Sequence, residues 1–296
     1  MKCFSTLLIL TALSATALAH NNGAIPITIN GQDVTKYVLS TDNDMNNVKV
    51  SNRTITLVAG GRVYIGNSAS DKLDTASYYD FDLQDTTSQG KRLTFNVDMS
   101  EVGCSCNGAL YLVSMPAYNS AQQPEPGKDG SYYCDANQVG GTYCPEMDVM
   151  EANKYAMAST AHTCNYVAPH YYSTCDRGGC GTNVLDDHKD EFGPGKKIDT
   201  NKPFTVSVTF MKGGDNKLSS IENKFEQGGQ SITFNACNSD YLQWMGYSLP
   251  GIVMTMSLWG TPAGGMSWLD GKSGCQGGCN LPGSRVSFSN IRIDNV

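Results

Sequence analysis

Glu146, Asp148 and Glu151 place three carboxylates within six residues, in the run Pro145-Glu146-Met147-Asp148-Val149-Met150-Glu151-Ala152-Asn153. On a strand Glu146 and Asp148, two apart, share a face. Glu151 would point to the other face of a regular strand. One extra residue near Val149 or Met150, a β-bulge, would return it to the side of the other two. The ends of the row would then lie roughly 5–7 Å apart. Carboxylates so close raise one another's pKa, so one stays protonated while another is ionised. Retaining glycoside cleavage needs such a pair, a nucleophile and a general acid/base about 5–5.5 Å apart. A calcium site and a solvated acidic strand are the alternatives these residues leave open.

The elements that must position this row are strands. Period-two alternation marks 54–58, 79–83, 93–97, 204–210, 252–258 and 286–293, so each has an inward face and one turned to solvent or ligand. Gly60-Gly61, Pro126-Gly127, Gly213-Gly214 and Gly228-Gly229 punctuate them as turns. Only Tyr241 to Met245 suggests a helical turn or two, and no repeat or low-complexity linker interrupts the pattern. The pattern predicts an all-β chain, a sandwich of packed antiparallel sheets in one domain over 20–296, with no separate carbohydrate-binding module.

The chain has 296 residues and a formal charge of −7, which argues against a nucleic-acid partner. After the N-terminus no apolar run is long enough to span a membrane. Residues 1–19 read as a signal peptide: a basic Met1-Lys2, an apolar Leu7–Leu18, then Ala17-Leu18-Ala19 before the cut. Cys3 leaves with it, and the ten remaining cysteines imply five disulfides in a secreted, extracellular protein. Their Cys-x-Cys and Cys-x4-Cys spacings do not form paired zinc knuckles. Asn52-Arg53-Thr54 is a candidate glycosylation acceptor at Asn52. No metal or cofactor is expected, since carboxylate chemistry needs none, and a monomer is expected.

At the acidic row the sequence resembles glycoside hydrolase family 7, the fungal-type cellobiohydrolases and endoglucanases. That family carries Glu-x-Asp-x-x-Glu followed by Ala-Asn, as in Glu146 to Asn153. The resemblance continues through Leu93 to Pro116 with Asn107-Gly108-Ala109-Leu110-Tyr111, through Tyr133-Cys134-Asp135 and through Ala161-His162-Thr163-Cys164. It extends to Met256-Ser257-Leu258-Trp259, Met266-Ser267-Trp268-Leu269-Asp270 and the closing strand Val286 to Ile291. It implies a jelly-roll sandwich with a substrate groove on its concave face. It implies Glu146 as nucleophile, Glu151 as acid/base and Asp148 as the group between them that sets the proton distribution. By the same resemblance Tyr111 and Asn107 face the nucleophile, and Asp135 belongs to a cleft segment. His162 lies on the leaving-group side, and Trp259 and Trp268 stack on glucosyl rings. Trp244 has no such match and is expected in the core. The resemblance also implies the bridges Cys104–Cys275, Cys134–Cys144, Cys164–Cys175 and Cys180–Cys237. Cys106 and Cys279 then pair if the count closes.

Departures from the family bear on the substrate. The loops that roof a tunnel in processive members are short here, and no tryptophan precedes Trp244. Asp186 and Lys272 stand near where the family carries product-gripping arginines, and Met150 replaces a tryptophan in the catalytic strand. The expectation is an endo-acting, retaining hydrolase of cellulose or a related neutral β-glucan, since an acidic groove repels uronic polymers. Two other classes remain. A non-hydrolytic glycan-binding protein or effector on the same fold would bind sugar without making new ends. A copper-dependent oxidase would need His20, the expected new N-terminus, to meet His162, His170 or His188.

Overall fold

The computed structural model describes residues 19–70, 73–83, 88–214, 217–245 and 250–296. The expected signal peptide, up to Leu18, lies outside the described residues. Each alternating segment is a strand. Thr54–Val58 has the expected bounds, and the others are Asp80–Asp82, Gly90–Asp98, Phe204–Lys212, Pro250–Gly260 and Arg285–Asn295.

Among the described residues, sixteen strands join in one hydrogen-bonded sheet that doubles back on itself as two layers. The first layer runs Cys180–Asn183, Ala156–His162, Glu146–Asn153, Cys106–Val113, Pro250–Gly260, Gly61–Gly66, Gln32–Thr41. The second runs Arg285–Asn295, Gly90–Asp98, Phe204–Lys212, Leu218–Gln227, Gln230–Asn235. Ala19–Ile29 links them, antiparallel to Gln32–Thr41 and parallel to the last strand at Thr28↔Arg292 and Ile29↔Ile293. The layers of the expected sandwich are therefore one continuous ribbon of strands.

Alternation decides what each face does. Leu110, Leu112, Met147, Val149, Met150, Met254, Met256 and Leu258 enter a core shared with Leu93, Phe95, Val206, Phe225 and Phe288 of the second layer. The layers approach closely at Gly108, where an added Cβ would sit 3.0 Å from the side chain of Val286. Met150 is fully buried there, beneath the acidic row. The helix Ser239–Met245 starts where Asn238 Oδ1 caps the Tyr241 amide at 3.0 Å. It buries Leu242 and Met245. Trp244, expected in the core, is instead 65% exposed, because these two apolar residues already supply the packed face of so short a helix.

The five bridges are Cys104–Cys275, Cys106–Cys279, Cys134–Cys144, Cys164–Cys175 and Cys180–Cys237. The first two span separations of 171 and 173 residues and lie side by side. Either one closes the long loop, after which the other closes only a few residues. Opening one alone, as in Cys106→Ser with Cys279→Ser, is expected to cost about 2 kcal/mol by loop entropy. Opening both adds about 5 kcal/mol, a non-additivity that denaturant unfolding of the three variants would measure. Additive losses would contradict the shared-loop argument.

Candidate active site

The strand Glu146–Asn153 pairs with Cys106–Val113 through Val113↔Glu146, Leu112↔Met147 and Tyr111↔Asp148, then resumes at Leu110↔Met150 and Ala109↔Glu151. Val149 is the extra residue. On the other side the register slips between Thr160↔Asp148 and Ala158↔Glu151. Val149 and Met150 thus both face the core, and Glu151 returns to the face of Glu146 and Asp148. The three carboxylates line one cleft of about 570 Å³, together with Tyr111, Tyr133, Asp135, His162, Trp259 and Trp268.

Hydrogen bonds hold each acid in place. The Ala136 amide donates to Glu146 Oε2 at 3.0 Å. Asn107 Nδ2 donates to Glu151 Oε1 at 2.8 Å, while its Oδ1 accepts from the Ala152 amide at 2.9 Å, so the amide cannot turn without losing a partner. His162 Nδ1 lies 2.8 Å from the Asp176 carbonyl, which only accepts, so that nitrogen carries a proton. His162 Nε2 lies 3.1 Å from Asp148 Oδ2, and a second proton bridges that contact from one side or the other. Gly179 (φ +64°) makes room for this ring. A Cβ there would fall 2.6 Å from His162 Cε1.

Burial, then the charges of Asp148 and Asp135, raise the pKa of Glu146 well above the usual carboxylate range, against His162 and the Ala136 amide. Burial and Asp135 push Asp148 up to about 8, opposed by its hydrogen bond with Glu146. Burial and Asp148 push Glu151 up to about 8, opposed by Asn107 and His162. Burial and mutual charge thus hold protons on the row into the neutral range, and the neighbouring acids titrate together rather than singly.

The same cleft carries the tryptophans, 39% exposed at Trp259 and 49% at Trp268. Trp259 is the last residue but one of the strand Pro250–Gly260, opposite Asn107. Trp268 rides the short helix Ser267–Asp270, which is pinned from beneath. Asp270 Oδ2 accepts from the Ser105 amide at 2.8 Å and from Asn153 Nδ2 at 3.0 Å, and Asn183 Nδ2 donates to the Leu269 carbonyl at 2.7 Å. Asn153, the last residue of the acidic motif, thus links the acidic strand to the tryptophan helix.

Tyr111, Asp135, Glu146, Asp148, Glu151, His162, Trp259 and Trp268 line the cleft, whereas Asn107 is fully buried and not part of its lining. Asn107, expected to face Glu146, donates to Glu151 instead, because the antiparallel register sets Gly108 opposite Ala152. Tyr111 meets Tyr133, hydroxyl to hydroxyl at 3.4 Å. Asp135 is buried, with Oδ1 accepting from the Val139 amide at 2.9 Å. Lys272 and Asp186 pair with each other. His20 and His162 do not come together. The strands Gln32–Thr41, Gly61–Gly66, Pro250–Gly260, Cys106–Val113 and Glu146–Asn153 lie between theirs.

Two arginines at the cleft were missed. Arg62 lies over the Tyr133 ring at 3.9 Å, and its buried Nε has no hydrogen-bond partner. Arg177 donates from Nη2 to the Asn137 carbonyl at 2.6 Å and lines the wall beside His162. The available signals were an arginine on an inward position of the strand after Gly60-Gly61, and one between Cys175 and Cys180, whose bridges pin that segment to the site.

A family model described as glycosyl hydrolase family 7 matches residues 20–139 and 135–249. The chain is 35% identical over 251 residues to endoglucanase EG-1 of Trichoderma longibrachiatum, covering 70% of this chain and 52% of that one. It is 32% identical over 269 residues to endo-beta-1,4-glucanase celB of Aspergillus oryzae, covering 70% and 64%. The chain thus spans about half to two thirds of the length of these curated relatives. The fold is similar to that of a structure titled endoglucanase I complexed with cellobiose, at TM-score 0.75 and 22% identity over 94% of this chain and 97% of that one. It is also similar to a family 7 cellobiohydrolase from Daphnia pulex, at TM-score 0.72 and 19% identity over 96% and 98%.

Proposed function

Because the chain belongs to glycosyl hydrolase family 7, we propose that it is a secreted, endo-acting, retaining hydrolase of β-1,4-linked glucan, working by double displacement. The observation that carries this reading is the bulged strand, which turns Glu146, Asp148 and Glu151 into one cleft. In the first step Glu146 attacks the anomeric carbon while Glu151 gives its proton to the departing glycosidic oxygen. In the second, Glu151 takes a proton from water, which attacks the same carbon and frees Glu146. Asp148, hydrogen-bonded to Glu146 and tied to His162, takes up the change in charge between the steps. Trp259 and Trp268 offer flat faces to glucosyl rings, and Arg62 lines the same cleft. The endo mode is supported by the short loops around the cleft and by the cellulase relatives.

The test is incubation with soluble neutral β-glucans while viscosity and reducing ends are followed together. A fast viscosity drop with few new ends is expected on at least one backbone. Ends that accumulate in step with viscosity would overturn the endo mode. Sugar binding without any new end would replace the hydrolase with a glycan-binding protein on the same fold.

A further inference from the structure

Behind the wall formed by residues 137–143 lies a second groove, of about 510 Å³, which shares no lining residue with the catalytic cleft. Three half-buried rings line it: Tyr118, Tyr143 and Tyr171. Asn119, Glu125, Lys128 and Gln138 also line it. Asn119 Oδ1 accepts the Ala121 and Gln123 amides and Gln138 Nε2 donates to the Gly141 carbonyl. That leaves the Asn119 NH2, the Gln138 carbonyl, the carboxylate and the ammonium for hydroxyl groups. Tyr118 is held by stacking on His170, centroids 5.1 Å apart and planes 27° apart. The backbone around the groove is strained. Gln122, Gln138 and His170 all take positive φ, 57°, 62° and 59°, without being glycine. Such conformations persist where the surroundings impose them and gather at binding sites. Aromatic faces set among hydroxyl, amide and charged groups in a concavity of this size are the chemistry of a pyranose ring site.

We propose that this groove is a second saccharide-binding site, which holds a neutral pyranosyl segment of a polymer away from the catalytic carboxylates. The inference shares with the proposed function only the chemistry of the ligand. It assigns Tyr118 and Tyr171 to retention and gives them no part in bond cleavage. The site anchors a polymer at the outer face of the wall whose inner face borders Glu146.

The test uses Tyr118→Ala and Tyr171→Ala in the full chain, with near-UV circular dichroism to show that each is folded. Mobility in native gels cast with hydroxyethylcellulose reads polymer binding, and turnover of a soluble short β-1,4-glucan oligosaccharide reads the cleft. Each variant is expected to weaken retention by roughly five- to tenfold and to leave oligosaccharide kcat/KM within about twofold. Ser173→Trp, at an exposed position lining the groove, is expected to weaken retention by obstruction without removing either ring. Unchanged retention in all three folded variants would overturn the site. A parallel loss of oligosaccharide turnover would also overturn it, by assigning the rings to the cleft. If the wild type cleaves nothing, the hydrolase reading fails, whereas retention lost in the variants would still establish the groove.

Discussion

Glu146→Gln is expected to lower turnover on any glucan by about 10⁴-fold or more while leaving glycan affinity within a few fold. The substitution keeps the shape, and its Oε1 still accepts the Ala136 amide that now meets Glu146 Oε2 at 3.0 Å. What is lost is the atom that bonds to the anomeric carbon. A better leaving group cannot compensate, because no covalent intermediate can form. The measurement is turnover of both a glucan and a dinitrophenyl glycoside, beside calorimetric binding of an oligosaccharide. Dinitrophenyl glycoside turnover within tenfold of wild type would remove Glu146 from the nucleophile's role.

Glu151→Gln should separate the two glutamates by the opposite pattern. Without its proton donor, glucan cleavage is expected to fall by about 10²- to 10⁴-fold. Dinitrophenolate departs without protonation, so the first step on that substrate survives and a burst appears as the glycosyl-enzyme waits for an unassisted water. Glu151 holds its proton up to about 8, so the alkaline limb of wild-type kcat/KM is expected near that pH and should vanish in the variant. Stability should follow the same proton. Below the ordinary value of 4.5 the folded and unfolded chains are both protonated at this residue. Between 4.5 and about 8 only the folded chain keeps the proton, so stability falls as pH rises and levels off above. Thermal melts across that window should show a shallower decline in Glu151→Gln than in the wild type. An unchanged alkaline limb and an unchanged melting profile would place the acid elsewhere.

The acidic row was legible because acidic side chains crowded on one strand have few structural uses, and their spacing calls for a bulge. The strands were legible because a half-buried strand must alternate. Thr54–Val58 shows this, with Ile55 and Leu57 inward and the threonines half-exposed between them. The cysteine pairs came through the resemblance, not from spacing, which leaves many connectivities open.

Trp244 marks where local reasoning ended. A large apolar residue among few tryptophans reads as core, yet a seven-residue helix has one packed side, and Leu242 and Met245 occupy it. Asn107 marks another limit, since its partner depends on the register between two strands far apart in the chain. The sequence by itself determined the β class, the carboxylate triplet with its bulge, and the number of disulfides, because each follows from residues close together or from simple counting. Tertiary structure alone decided that the layers join through Ala19–Ile29, and that Arg62 and Arg177 enter the cleft. It also decided that Tyr118, Tyr143 and Tyr171 converge on one groove. The reason is the same in each case: these arrangements are made of contacts between segments distant in sequence, and period, spacing and composition carry no record of which distant strand a given face will meet.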